Sequence, residues 1–209
     1  MNIIVFGATG TVGKIVVERI LQDGHKVTAF ARNPEKLELE HSRLTLTPGN
    51  ARDQDDVSKA VCGHDAVVVA LGSGMARKSN IRSQGTLNVI RAMQNHGIQR
   101  LVCQTTLGAH ESWGNLNFFW KRIMFGVLLR PVFLDHELQE DMVRASGLDW
   151  TLVRPSAFTA GPAQGVFKEN FDTTDRDLSL KISRADVAEF LKQQISDTLY
   201  IHRAVGISN

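Results

Sequence analysis

The sequence predicts an α/β fold, a parallel sheet wound on both faces by helices within a single domain spanning 1–209. Three observations carry that prediction. Strand-like and helix-like segments alternate along the chain. The strongest strand candidates, "NIIVF" at 2–6 and "DAVVVALG" at 65–72, are nearly continuous apolar runs, as strands covered on both faces require. Glycines also stand where elements should stop, at Gly7, Gly24, Gly49, Gly72 and Gly97.

Each element follows from its local pattern. After the first strand the period changes at Thr11, with Val12, Val16 and Ile20 recurring at i+4 until Gly24. "HKVTAFAR" is a second strand ending at Arg32, and "RLTLTPGN" alternates apolar and polar residues as a third. Asp53 offers an N-cap to a short helix carrying Val57, Ala60 and Val61. "DAVVVALG" is the fourth strand. A helix through Leu87, Ile90 and Met93 leads to Gly97, and "RLVCQTT" is the fifth strand. Leu134, Leu138 and Met142 mark the apolar stripe of a later helix, and "WTLVRP" the sixth strand. Ser183 and Asp186 form a capping box ahead of Val187, Leu191 and Ile195.

Composition bounds the class. The 209 residues are 43% hydrophobic and 22% charged, ordinary for a globular chain. A formal charge of +2 is too small to imply nucleic-acid or membrane binding. No apolar run approaches the ~20 residues of a membrane span. Cys62 and Cys103 have neither metal nor disulfide spacing, which makes buried, inert thiols the expectation. With Met1 leading straight into the first strand, a cytoplasmic location is expected, and so is a monomer or weak homodimer.

Doubly wound sheets bind ligands at the carboxyl ends of their strands. That rule singles out Gly7–Gly13, Arg32, 49–53, Gly72–Ser73, Thr105–Thr106 and 155–157. "GATGTVG" follows a strand and opens a helix, so backbone N–H groups and the positive helix end converge where a pyrophosphate fits. Gly7 permits the turn, Gly10 admits the phosphates, and Gly13 lets the helix pack on the strand. The second strand ends "TAFARN", with Arg32 where an NAD site places a carboxylate for the ribose. A guanidinium there suits the 2′-phosphate of NADP(H), and Lys36 stands one turn on as a second cation.

"NIIVFGATGTVG", "VTAFARNPEKL", "DAVVVALG", "SGLDWTLVRPSAF" and "ISRADVAEF" together resemble the atypical, NmrA-like short-chain dehydrogenase/reductases. Within that group the chain is most similar to the biliverdin-IXβ and NADPH-dependent flavin reductases. The resemblance spans nearly the whole chain and implies a Rossmann-type domain with a small substrate-side lobe over the nicotinamide. It implies cofactor contacts at Gly7, Thr9, Gly10, Thr11, Val12 and Arg32, and at Leu71, Gly72 and Ser73. Asn50, Ala51, Thr105, Pro155 and Ser156 complete the expected dinucleotide set. Asn50 stands where the family usually has Asp, Thr106 where the flavin reductases have Ser, and Ala157 where they have His.

The Tyr-x-x-x-Lys pair of ordinary short-chain dehydrogenases is absent, because Tyr200 is the lone tyrosine and Ala204 lies four residues on. Carbonyl or alcohol chemistry therefore gives way to hydride transfer onto a flavin or a linear tetrapyrrole, where charge spreads over a conjugated system. Catalytic candidates are Thr106, Thr105 and His136, the last as a proton donor. Trp113, Phe118, Trp120 and Ala157 are the candidates for the substrate side. The other reading of the missing tyrosine is a non-enzymatic NADP(H)-binding redox sensor, which its longer-tailed NmrA-like representatives exemplify.

Overall fold

The computed structural model describes every residue of the chain except Met75 and Arg77. Among the described residues there are ten strands: β1 (Asn2–Phe6), β2 (Lys26–Ala31), β3 (Leu44–Pro48), β4 (Ala66–Val69), β5 (Arg100–Gln104), β6 (Asp149–Pro155), β7 (Ala157–Thr159), β8 (Lys168–Glu169), β9 (Lys181–Ser183) and β10 (Arg203–Ser208). Five α-helices connect them: α1 (Gly13–Gln22), α2 (Gln54–Val61), α3 (Ile81–His96), α4 (Arg130–Arg144) and α5 (Arg184–Gln193). The main sheet has the order β3-β2-β1-β4-β5-β6-β10-β8, parallel except for the β8 edge. β7 and β9 pair in a separate small sheet. This is the doubly wound Rossmann-type architecture the sequence predicts.

The topology places the site. The chain runs outward from β1 to β3 and then crosses back to β4, so the strand order reverses between β1 and β4. One apolar layer joins α1 and α5 to one face of the sheet, through Val16, Ile20, Val187 and Leu191. The other face is covered by α2, α3 and α4, through Val57, Val89, Met93 and Val143. Strands β1 and β4 are enclosed on both faces, which is why their sequences carry no alternation.

Local signals read in the sequence have clear structural counterparts. Asp53 caps α2 by accepting from the N–H groups of Asp55 and Asp56, at 2.9 and 3.0 Å. Ser183 Oγ accepts from Asp186 N at 3.0 Å and donates to its carboxylate at 2.7 Å. That carboxylate also receives the N–H groups of Gln164 and Gly165, tying a distant loop to α5.

Two expectations need correction. Of the α4 stripe Leu134, Leu138, Met142 only Met142 packs against the core, since Leu134 and Leu138 are 50% and 48% exposed. The buried face carries Phe133, Asp135, His136, Gln139, Glu140 and Val143. Period gave the helix, but mutually bonded polar groups outcompeted the leucines for the interior. The second correction concerns the thiols: Cys103 is buried and Cys62 is exposed. Cys62 ends α2 just before Gly63, in a turn at the surface.

Candidate active site

A cavity of about 870 Å³ opens at the carboxyl ends of β1, β2, β4, β5 and β6. Its first half is made of backbone. Gly7 has φ +83°, and a Cβ there would collide with the Ala70 carbonyl, so the turn requires glycine. A Cβ on Gly13 would collide with the Gly7 carbonyl, so the start of α1 rests directly on the turn. A Cβ on Gly10 would meet little besides the Gly7 oxygen at 3.1 Å and would project into the cradle. No side chain caps α1, and the N–H groups of Thr11, Val12 and Gly13 donate to no acceptor among the described residues. Uncapped donors at a helix start are what an anion would satisfy.

Charge reinforces this. Arg32, Arg52, Lys78 and Arg82 line the cavity, and among the described lining residues there is no Asp or Glu. Arg52 lies in the strand-end segment 49–53 that the sequence singles out, with no role assigned to it there. It reaches across to Ser79 Oγ at 3.1 Å, and the chemistry-bearing position is set by the turn after β3. That turn is closed by Asn50, whose Oδ1 accepts from Arg52 N at 3.1 Å while its own N–H donates to Asp56. Gly85 of α3 is a position sequence reasoning missed. A Cβ there would come within 2.6 Å of Leu71, so the glycine brings α3 against the loop beside the cradle.

The second half is built from side chains. Thr105 is buried and its hydroxyl donates to Glu140 Oε1 at 2.7 Å. Glu140 is fully buried and pairs with Arg154, which is itself 2% exposed and reaches Glu111 at 2.9 Å. This chain holds the ends of β5 and β6 against α4. Asp135 accepts from Arg82 N at 3.2 Å and Ser83 N at 3.1 Å, capping α3 from another helix because Asn80 supplies no side-chain cap. Burial, with the Arg82 charge nearby, lowers the His136 pKa to about 3. That shift favours the neutral imidazole.

Thr106 is left with its hydroxyl on the cavity wall and only a 3.3 Å contact to the Leu107 carbonyl. Ser156 Oγ and Gln104 Oε1 are buried on the same wall with no hydrogen-bond partner among the described residues. A buried polar atom in that condition is costly unless a ligand or water completes it. Gln104 was not anticipated, and nothing in "VCQTT" separates it from an ordinary strand residue.

The remaining expected residues divide plainly. Thr9, Thr11, Val12, Ala51, Leu71, Gly72, Ser73, Pro155, Ala157 and Trp120 line the cavity with those above. Lys36 does not, because the 3₁₀ turn Pro34–Leu37 carries it away on the exposed side. Trp113 is packed on Phe133 at 5.3 Å in a cluster with Phe125 and Trp120, beneath the cavity wall. Phe118 is 73% exposed at the outside of the π-helical segment Trp120–Leu128 that follows it. Tyr200 packs with Phe190 on the opposite face and donates to Glu169, remote from the cavity wall.

The family model described as NAD(P)H-binding matches residues 7–198, beginning at the first glycine of the turn. The chain belongs to this NAD(P)H-binding family. A Bacillus subtilis relative named "Uncharacterized sugar epimerase YhfK" is 25% identical over 218 residues, covering 100% of this chain and 94% of that one. Among solved structures, ChuY from Escherichia coli O157:H7, described as an anaerobillin reductase, superposes with a TM-score of 0.83 at 22% identity. It is covered over 97% of its length, and this chain over 100%. A Veillonella parvula short-chain dehydrogenase/reductase in complex with NADP gives 0.83 at 17% identity, covering 100% and 94%. At these identities the structural likeness is one of fold.

Proposed function

We propose that the chain is an NADPH-dependent reductase that delivers hydride to a planar conjugated acceptor, a flavin or a linear tetrapyrrole. The observation that carries the proposal is the make-up of the cavity. Arg32, Arg52 and a run of unpartnered N–H groups stand in one half, while the other has an apolar wall and a threonine hydroxyl, with no tyrosine, Asp or Glu among the described lining residues. NADPH carries an extra phosphate that Arg32 and Arg52 are placed to meet, and Ser156 is placed to complete a hydrogen bond to the dinucleotide. The bound dinucleotide supplies the hydride. This chain's residues bind it, orient the acceptor against Trp120 and Ala157, and exclude water with the wall formed by Leu116, Phe125 and Leu129. An acceptor that disperses the incoming charge over its rings needs no tuned acid beside it, which fits a site where burial lowers the pKa of His136, the one histidine among the described lining residues.

The reductases among the structural neighbours and the neighbour bound to NADP support this reading. The test is oxidation of NADPH, followed by loss of reduced-nicotinamide absorbance, against FMN, riboflavin, biliverdin isomers and simple quinones. Turnover with a flavin or bilin, and a preference for NADPH over NADH, is expected. Tight NADP(H) binding with no turnover of any acceptor would overturn the reductase in favour of a redox sensor.

A further inference from the structure

His136 sits on α4 with 8% of its surface exposed, and it lines the cavity. Its Nδ1 lies 3.2 Å from Gln139 Oε1. Gln139 is fully buried, and its Nε2 donates to Thr86 Oγ1 of α3 at 3.0 Å and lies 3.2 Å from Cys103 Sγ of β5. The amide NH₂ is thus committed to two neighbouring elements, and its carbonyl oxygen faces the imidazole. A carbonyl oxygen only accepts, so the ring nitrogen facing it carries the proton. In a neutral imidazole the other nitrogen, Nε2, then holds a lone pair. That nitrogen has no hydrogen-bond partner among the described residues. This nitrogen is not among the buried, unpartnered polar atoms, so its lone pair opens onto the cavity, where a donor on a bound ligand can meet it.

We infer that His136 Nε2 accepts a hydrogen bond from the bound ligand and that Gln139 is the positioning residue that holds the ring in that tautomer. The donor is a neutral O–H or N–H. It comes from the dinucleotide, through a ribose hydroxyl or the carboxamide, or from the electron acceptor, through a ring N–H. The second source rests on the reductase reading and the first does not. In either case His136 contributes orientation, not a proton. If the donor belongs to the acceptor, the site discriminates against molecules such as quinones that carry only acceptor atoms, because the lone pair would then stay unpaired.

The tautomer is read directly by nitrogen NMR of the full chain carrying ¹⁵N-labelled histidine, with and without NADP⁺. A His136 ring protonated on Nδ1, in both states, is expected; one protonated on Nε2 overturns the inference, whatever any variant does. Gln139→Glu puts a carboxylate beside Nδ1, favours the doubly protonated ring, and should replace the acceptor with a donor of the same shape.

Two binding measurements then identify the source, using His136→Phe and Gln139→Glu alongside the parent chain. If the dinucleotide donates, the NADP⁺ Kd rises by about threefold to tenfold in both variants, as loss of a neutral hydrogen bond predicts. If the acceptor donates, the preference for lumiflavin over N3-methyllumiflavin in kcat/KM collapses by a similar factor while the NADP⁺ Kd holds. Should both quantities stay unchanged in folded Gln139→Glu, the inference fails. Absence of turnover with every acceptor in the parent chain would instead count against the reductase reading, leaving the NADP⁺ and NMR results to decide this one.

Discussion

The two halves of the cavity are built on different principles. The half at β1 and β4 uses backbone: a glycine turn, an uncapped helix start and cations that project from loops. The half at β5 and β6 uses side chains that satisfy one another, Thr105 with Glu140, Glu140 with Arg154, Asp135 with the start of α3, and His136 with Gln139. Backbone donors left open are a demand for a ligand. Side chains already paired are a frame that holds a few atoms facing the cavity, Thr106 Oγ1, Ser156 Oγ and His136 Nε2, in fixed places. Changes in the first half should therefore act on binding, and changes in the second on stability or on the finer terms of rate.

The largest effect should come from the frame. Glu140→Ala strands the buried Arg154 and the Thr105 hydroxyl, and breaking a buried pair from one side costs about 3–5 kcal/mol. Urea denaturation should show that loss, whereas NADP⁺ affinity of the folded protein should change far less. A loss of affinity without loss of stability would erase the distinction between the halves. Next is Gly10→Val, which places a branched side chain in the phosphate cradle. NADPH binding should fall by at least about a hundredfold, near 2.7 kcal/mol, while circular dichroism reports a retained fold. Unchanged titration calorimetry would mean that the glycines serve only the turn.

Arg32→Ala sharpens the comparison within the first half. Removing a charged hydrogen bond costs about 1.5–3 kcal/mol, so NADPH should weaken by roughly ten- to a hundredfold with little change for NADH. Equal losses for both would show that Arg32 does not read the 2′-phosphate and would shift that role to Arg52.

The second half also has a pH signature. His136 has a folded pKa of about 3, depressed chiefly by burial and then by the Arg82 charge. The unfolded chain, with an ordinary histidine near 6.5, binds the proton first as pH falls. Stability is then complete above about pH 6.5 and declines as pH drops toward 3, by up to about 1.4 kcal/mol per unit from this residue. Denaturation of the parent chain and of His136→Asn, compared across that window, should show the slope reduced in the variant. Parallel curves would place the titration elsewhere.

The smallest effect belongs to Thr106→Ala. One neutral hydrogen bond, worth about 0.5–1.5 kcal/mol, corresponds to a two- to tenfold loss of flavin reduction at saturating NADPH. A loss beyond about a thousandfold would fall in the general-acid range and would make Thr106 part of a proton relay.

The five α-helices and the first six strands announced themselves through period and punctuation, whereas β7 to β10 did not. The glycine turn was legible because its conformation needs backbone freedom that glycine alone supplies. The cation at the end of β2 was legible for a similar reason: its position is fixed by a strand end, whatever packs elsewhere. Lys36 is close in sequence to Arg32 but lies off the cavity wall, on the 3₁₀ turn Pro34–Leu37. Arg52 and Gln104 line the cavity from different elements, and Gly85 acts on it through its packing against Leu71, so no window of sequence contains their relation. The inward face of α4 was hidden more deeply. Hydrophobic period assigns Leu134 and Leu138 to the core, and nothing local shows that Asp135, Gln139 and Glu140 would find partners on α3, β5 and β6. By itself the sequence determined where the chain turns and where an anion is invited, since both are properties of a few consecutive residues. Which polar groups are buried, which are spent on one another and which are left for a ligand was decided only in the folded molecule, because a buried polar group is stable only with a partner and that partner comes from another element.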